Sequence, residues 1–261
     1  MCYDVHFKVE INQLADYFPD LIFDEAVQVN FNFSLHIQGH AFGAHPIIYK
    51  KKEDEKFHCK MMEWGCIPFY VKTEKDFVKQ RSTMLNARSE KILADTKSYW
   101  HKIRSRRCLI PVTGFYEHRE IAGWKNKVPY LIALKDQSTF FLPGLYSVTE
   151  LADTTTGEMF KKWTYAIITR KANDVMKLIH NGGDNGGRMP LLLPFEMSKK
   201  WAETDFNDED YKLLLEYEMP SDYLKYHTVD SIRSRKPRAD GKEKDEMFIW
   251  AKLPPLAAEN I

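Results

Sequence analysis

Apolar residues along the chain fall into helix-like and strand-like periods that alternate from one end to the other. Ile11, Leu14, Ala15 and Phe18 recur at helical spacing after an extended start, which predicts a short amphipathic helix. His45–Lys50 and Met61–Pro68 are rich in apolar and aromatic side chains and read as strands. Ser89–Arg104 reads as a helix, with Ser89 as its cap and Ile92, Leu93 and Trp100 on its apolar side. Cys108–Glu117, Tyr130–Leu134, Phe140–Val148 and Thr164–Thr169 read as strands. Helices are expected over Ala172–Ile179, Phe195–Glu203 and Asp208–Glu218, with Pro194 placed just before the second of these. Ser231–Lys244 is charged and offers little to pack, so it reads as a loop or tail, with Met247–Leu253 docking back. No repeat or linker divides the chain. The expectation is one α+β domain over residues 1–230, with a mixed, strongly bent sheet, followed by a charged tail over residues 231–261.

Composition narrows the class without naming a function. A chain of 261 residues with 44% apolar residues can build one large core. Lys and Arg total 38 against 37 Asp and Glu, so a globally basic nucleic-acid binder is excluded. A locally positive groove is not. Cys2, Cys59, Cys66 and Cys108 have irregular spacing with no C-x-x-C pair, which argues for free thiols in a reducing compartment rather than zinc or disulfides. With no signal-peptide pattern and no apolar run of membrane-spanning length, a cytoplasmic monomer without a membrane partner is expected.

Four segments carry candidate chemistry. Loss of Met1 would expose Cys2 as a 1,2-aminothiol, whose amine forms imines with aldehydes and whose thiol then closes a thiazolidine ring. A small residue at position two is common enough that Cys2 alone decides nothing. Asn86 and Arg88, in Leu85-Asn86-Ala87-Arg88-Ser89-Glu90, fit a turn and a surface ion pair as well as they fit an orienting amide and a phosphate ligand. Glu117 ends the apolar stretch Gly114-Phe115-Tyr116, where burial would raise its pKa towards that of a general acid and base. It equally fits an exposed strand end paired with a lysine. Gly114 suits a bulge or a close backbone approach. His180, ahead of the Gly-rich run 181–187 and Arg188-Met189-Pro190, is either a helix-terminal dipole partner or a proton carrier.

Taken in order, Met1-Cys2, Trp64-Gly65-Cys66-Ile67-Pro68, Asn86-Ala87-Arg88-Ser89-Glu90, Gly114-Phe115-Tyr116-Glu117, Pro129-Tyr130, and His180 with Arg188-Met189-Pro190 resemble the SRAP (SOS-response-associated peptidase) family. The resemblance implies a barrel-like sheet with a groove for single-stranded DNA. It also implies a DNA-damage role in which Cys2 forms a covalent crosslink with the aldehyde of an abasic site. Asn86, Glu117 and His180 would complete the active site, Arg88 and Arg188 would contact the DNA backbone, and Trp64 and either Phe42 or Pro46 would stack on bases. No metal and no cofactor are implied. The chain departs from the family pattern at Tyr3-Asp4, where many relatives carry Gly-Arg, at 40–46, and in the expansion 181–187. Two other activities fit a terminal cysteine: a thiol peptidase or amidase whose amine serves as base, and a non-catalytic single-strand binder.

Overall fold

Residues with alternating or continuous burial form two sheets in the computed structural model, which describes residues 2–8, 11–30, 36–203, 205–234 and 236–256. Met1, on whose removal the aminothiol depends, and the end of the expected tail, 257–261, lie outside these. The strands are β1 Asp4–His6, β2 Ile22–Phe23, β3 Ile37–Gln38, β4 Ala44–Lys50, β5 Phe57–Trp64, β6 Asn86–Arg88, β7 Arg107–Val112, β8 Gly114–Arg119, β9 Val128–Leu134, β10 Phe140–Ala152, β11 Met159–Lys171, β12 Arg188–Pro190 and β13 Leu224–Thr228.

Five of these strands close on themselves. β11, β10, β7, β4 and β5 pair antiparallel in that order, and β5 returns to β11 in parallel through Glu63↔Thr164 and Trp64↔Tyr165. Closure leaves this ring without a free edge. Ile47, Ile48, Met62, Leu109, Leu145, Tyr165 and Ile167 lie in its core cluster. β6 extends the parallel pairing on β11, opposite Ile167 to Thr169. The second sheet, β13-β9-β8-β1-β3, is antiparallel throughout and carries the start of the chain between β8 and β3. The result is the expected single α+β domain with a barrel-like mixed sheet.

The stretch Cys108–Glu117, read from sequence as one strand, is two. Thr113 breaks it, donating its amide to His6 O at 2.9 Å, and the chain passes from the ring to the second sheet. Gly114 starts the second strand because a Cβ there would lie 2.7 Å from Leu131 Cδ1. The close-approach reading of Gly114 is therefore the correct one.

The expected helix Ser89–Arg104 is also two pieces, Ser89–Leu93 and Tyr99–Lys102. Asp95 draws the Lys97 amide into a turn between them, and Ser98, not Ser89, caps the second piece through Trp100 N. The expected strand Met61–Pro68 is shifted back to Phe57–Trp64, ending where Gly65 turns the chain at φ +99°. The remaining helices lie at Leu14–Tyr17, Glu25–Asn30, Val78–Arg81, Asp174–Ile179, Phe195–Trp201 and Asp208–Leu215, with short helical turns elsewhere.

Beyond Thr228 the chain runs back across the second sheet. Phe248 N bonds to Thr228 O at 2.8 Å, Trp250 Nε1 to Val229 O at 3.0 Å, and the fully buried Arg119 donates to Pro254 O at 2.7 Å. Trp250, Leu253 and Leu256 pack against the core. Among the described residues no helix is long and apolar enough to cross a membrane.

Candidate active site

Cys2 lies two residues ahead of Asp4, the first residue of β1, whose pairing with β8 holds the chain start beside Glu117. It is 0% exposed, and its thiol donates to Asp4 O at 3.8 Å. Asn86, at the head of β6, reaches across to donate its amide to Cys2 O at 2.9 Å. Its other amide atom, Oδ1, is buried without a hydrogen-bond partner. Burial, and then the neighbouring Glu117, push the Cys2 thiol well above its ordinary pKa, so the sulfur is protonated.

Glu117 is 4% exposed, and burial pushes its carboxyl up to about 8. His180 follows the helix Asp174–Ile179, and burial pushes its imidazole down to about 4. Its Nδ1 lies 2.7 Å from the carbonyl of Arg188, an acceptor only, so Nδ1 carries the proton and Nε2 is the basic nitrogen. Nε2 faces Glu117 Oε2 at 3.7 Å. The separation is that of an ion pair, but both shifts oppose charge. At neutral pH the pair is a protonated carboxyl beside a neutral imidazole. Glu117 Oε1 is buried and, like Asn86 Oδ1, has no hydrogen-bond partner. Unsatisfied buried acceptors of this kind cost on the order of 1–3 kcal/mol each, which a bound substrate can offset.

The pair opens onto a cleft of about 630 Å³ lined by Tyr3, Lys125, Lys127, Arg233, Trp250 and the loop after His180. That loop is tied down by Asn181, whose side chain accepts from Glu120 N at 2.8 Å and donates to Glu120 O at 2.9 Å, as a neighbouring strand would. A Cβ at Gly182 would lie 2.9 Å from Glu120 Cβ, so any larger residue there makes the Glu120 side chain shift. Gly187 N then returns to His180 O at 2.7 Å, so the expansion 181–187 closes on itself and keeps His180 next to Arg188. Among the described residues, no group of three or more His, Cys, Asp or Glu could hold a metal ion.

Burial pushes the Asp4 carboxyl up, and contacts with His36 and Arg233 outweigh that and hold it below its ordinary value. His36 Nε2 lies 2.7 Å from Oδ1, and Arg233 reaches Oδ1 at 3.3 Å and Oδ2 at 2.6 Å.

The sequence matches the family described as SOS response associated peptidase (SRAP) over residues 1–232. The chain belongs to the SRAP family. Within it, the chain is 36% identical over 173 residues to abasic site processing protein YobE of Bacillus subtilis, covering 66% of this chain and 70% of that protein. It is 25% identical over 201 residues to abasic site processing protein HMCES of Gallus gallus, spanning 67% of this chain and 55% of that one. A crystal structure of a protein from Bacteroides thetaiotaomicron superposes with a TM-score of 0.74 at 26% identity, covering 94% of this chain and 97% of that chain.

The SRAP chain gathers Cys2, Asn86, Glu117 and His180 at one place, and leaves two other candidates out. Trp64 does not face a groove. It is 0% exposed, stacks on Tyr165 at 5.9 Å and donates Nε1 to Leu85 O at 2.9 Å, so the base-stacking expectation is corrected to a core role. Pro46 is likewise buried, opposite Met61 on β5, and cannot wedge between bases. Phe42 is half-buried beneath the Arg81 guanidinium, whose centre is 4.7 Å from the ring.

Arg88 is exposed, and its guanidinium donates to the amide oxygen of Asn185 at 3.3 Å. Arg188 is committed within the protein, to both oxygens of Glu90 at 2.7 and 3.1 Å and to Thr169 O at 2.8 Å. Its charge is neutralised where it stands, which makes it a clamp between β11 and the helix at Ser89. Sequence reasoning passed over Lys125, Lys127 and Arg233. The first two were legible only as a basic pair between strands, and the third lies in a stretch read as tail.

Proposed function

We propose that this chain captures abasic sites in single-stranded DNA as a covalent adduct on Cys2, in keeping with the abasic-site processing named for its relatives. The observation that carries the reading is the uncharged Glu117–His180 pair, set beside Cys2 at the edge of a cleft lined by Lys125, Lys127 and Arg233.

The residues divide the chemistry as follows. Removal of Met1 frees the Cys2 amine. Glu117, still protonated at neutral pH, donates to the ring oxygen of the abasic sugar as the hemiacetal opens to the aldehyde. The amine adds to the aldehyde carbon, and water leaves with a proton returned through Glu117 and the basic Nε2 of His180, giving an imine. The thiol then adds across the carbon–nitrogen double bond. Sulfur bonds to carbon, the thiol proton passes to nitrogen, and a five-membered thiazolidine results. The second bond is intramolecular, which removes several kcal/mol of entropic barrier. Asn86 holds the Cys2 carbonyl and fixes where the amine points, while Oδ1 offers an acceptor to the amine or the sugar.

A thiol peptidase reading fits less well. Attack on an amide needs a thiolate, and burial holds the Cys2 thiol well above its ordinary value. In the aldehyde reaction the amine forms the first bond, so a protonated sulfur is no obstacle.

The test is incubation of the Met1-free protein with single-stranded DNA carrying one abasic site. A heat-stable adduct mapped to Cys2 is expected, and none with Cys2→Ala. An equal yield of adduct from Cys2→Ala rules the reading out, as does turnover of peptides by a protein inert to abasic DNA.

A further inference from the structure

Asp4 sits two residues after the attacking cysteine, is 2% exposed, and its backbone carbonyl accepts the Cys2 thiol. A buried carboxylate at that point, left unanswered, would favour the protonated form of the nearby Cys2 amine and so blunt the attacking nitrogen. Two groups answer it. His36 does so from β1's other neighbour, near β3, and carries charge only when protonated. Arg233 does so from a segment 229 positions away in sequence, one residue beyond the stretch that matches the family. Its guanidinium presents two nitrogens to the two Asp4 oxygens, a fork that a lysine cannot reproduce. The Arg233 side chain is 54% exposed along the cleft wall.

We propose that Arg233 is a positioning residue for Cys2: its two-pronged hold on Asp4 fixes the start of β1 and cancels the negative charge beside the attacking group. The C-terminal segment thereby completes a site whose other members come from the family-matched region. The proposal rests on the abasic-site reading for its natural substrate, but not for its test. The charged and titratable groups around Asp4 are His36, Arg233, Cys2, Glu117, His118 and, on the paired strand, Tyr116.

The test compares wild type, Arg233→Met, Arg233→Lys, Asp4→Asn and Asp4→Asn with Arg233→Met, all free of Met1. Two electrophiles are used: abasic single-stranded DNA, and formaldehyde, which condenses with the Cys2 amine with loss of water and is closed by the thiol without needing a DNA groove. Single-turnover rates are read by mass of the N-terminal peptide across pH 6 to 9, and urea melts report folding. Arg233→Met is expected to slow both reactions by roughly tenfold or more. Arg233→Lys should recover part of the rate. The double variant should return to the rate of Asp4→Asn, since the charge to be balanced is gone.

Loss of DNA capture with unchanged formaldehyde capture overturns the proposal in favour of a direct phosphate contact. A double variant as slow as Arg233→Met overturns it too, because the arginine would then act apart from Asp4. Arg233-dependent formaldehyde capture by a protein that never captures abasic DNA supports the positioning role and sinks the abasic-site reading instead. If Arg233→Met fails to fold, the lysine variant and the double variant still decide.

Discussion

Burial gives Glu117 and His180 opposite pH signatures. The Glu117 carboxyl moves from an ordinary 4.5 up to about 8, so between those values the unfolded chain ionises while the folded one keeps its proton. Stability therefore falls as pH rises through that window. The His180 imidazole moves from 6.5 down to about 4, so below 6.5 the unfolded chain takes up a proton the folded one refuses, and stability falls as pH drops towards 4. Between 4.5 and 6.5 the two slopes oppose each other, and above 6.5 only the Glu117 slope remains.

Glu117→Gln should accordingly raise the melting temperature more at pH 8 than at pH 5, while slowing adduct formation on the order of a hundredfold. Thermal melts at the two pH values with parallel single-turnover assays check both halves, and a variant that melts lower at pH 8 contradicts the burial argument. Asn86→Ala removes the hydrogen bond to the Cys2 carbonyl and should lower unfolding free energy by about 1–2 kcal/mol in urea titration. Glu117 was legible in sequence because a carboxylate among Phe115 and Tyr116 is out of place. Trp64 and Pro46 were not, because an aromatic and a proline on strands look alike whichever side of the sheet they face.

The elements that hold these residues are short, and their ends matter more than their lengths. β8 carries Glu117 and ends at Arg119, and the next residue, Glu120, is held by two bonds from Asn181 that substitute for a strand pairing. Asn181→Ala should slow adduct formation by freeing the segment that carries His180, with the melting temperature changed by only a few degrees. A rate equal to wild type would show that His180 is positioned by the helix and Arg188 alone. Periodicity located β4, β9, β10 and β11, whose cores are long apolar runs. It missed β2, β3, β6, β12 and β13, since two- and three-residue strands and the mixed polar stretch Leu224–Thr228 borrow their order from the neighbours they pair with. It also fused β7 with β8, because a sheet change at Thr113 leaves the apolar pattern unbroken.

For the molecule as a whole, a net charge of +1 conceals a local concentration of positive groups. Lys125 and Lys127 line the cleft beside Arg233, with Lys127 partly answered by Glu120 at 3.0 Å. Binding to undamaged single strands should weaken with salt, and replacing both lysines with alanine should reduce the slope of log K against log salt by about 1.4. An unchanged slope in fluorescence anisotropy titrations would move the strand's path elsewhere on the surface.

Architecture also dictates a schedule. The carbonyl of Cys2 is gripped by Asn86, and β1 is paired both with β3 and with a strand more than a hundred residues downstream, so Cys2 takes its place in the site only after that long-range pairing has formed. Met1-free protein held in urea that opens this pairing should capture abasic DNA far more slowly, and should recover its rate on refolding.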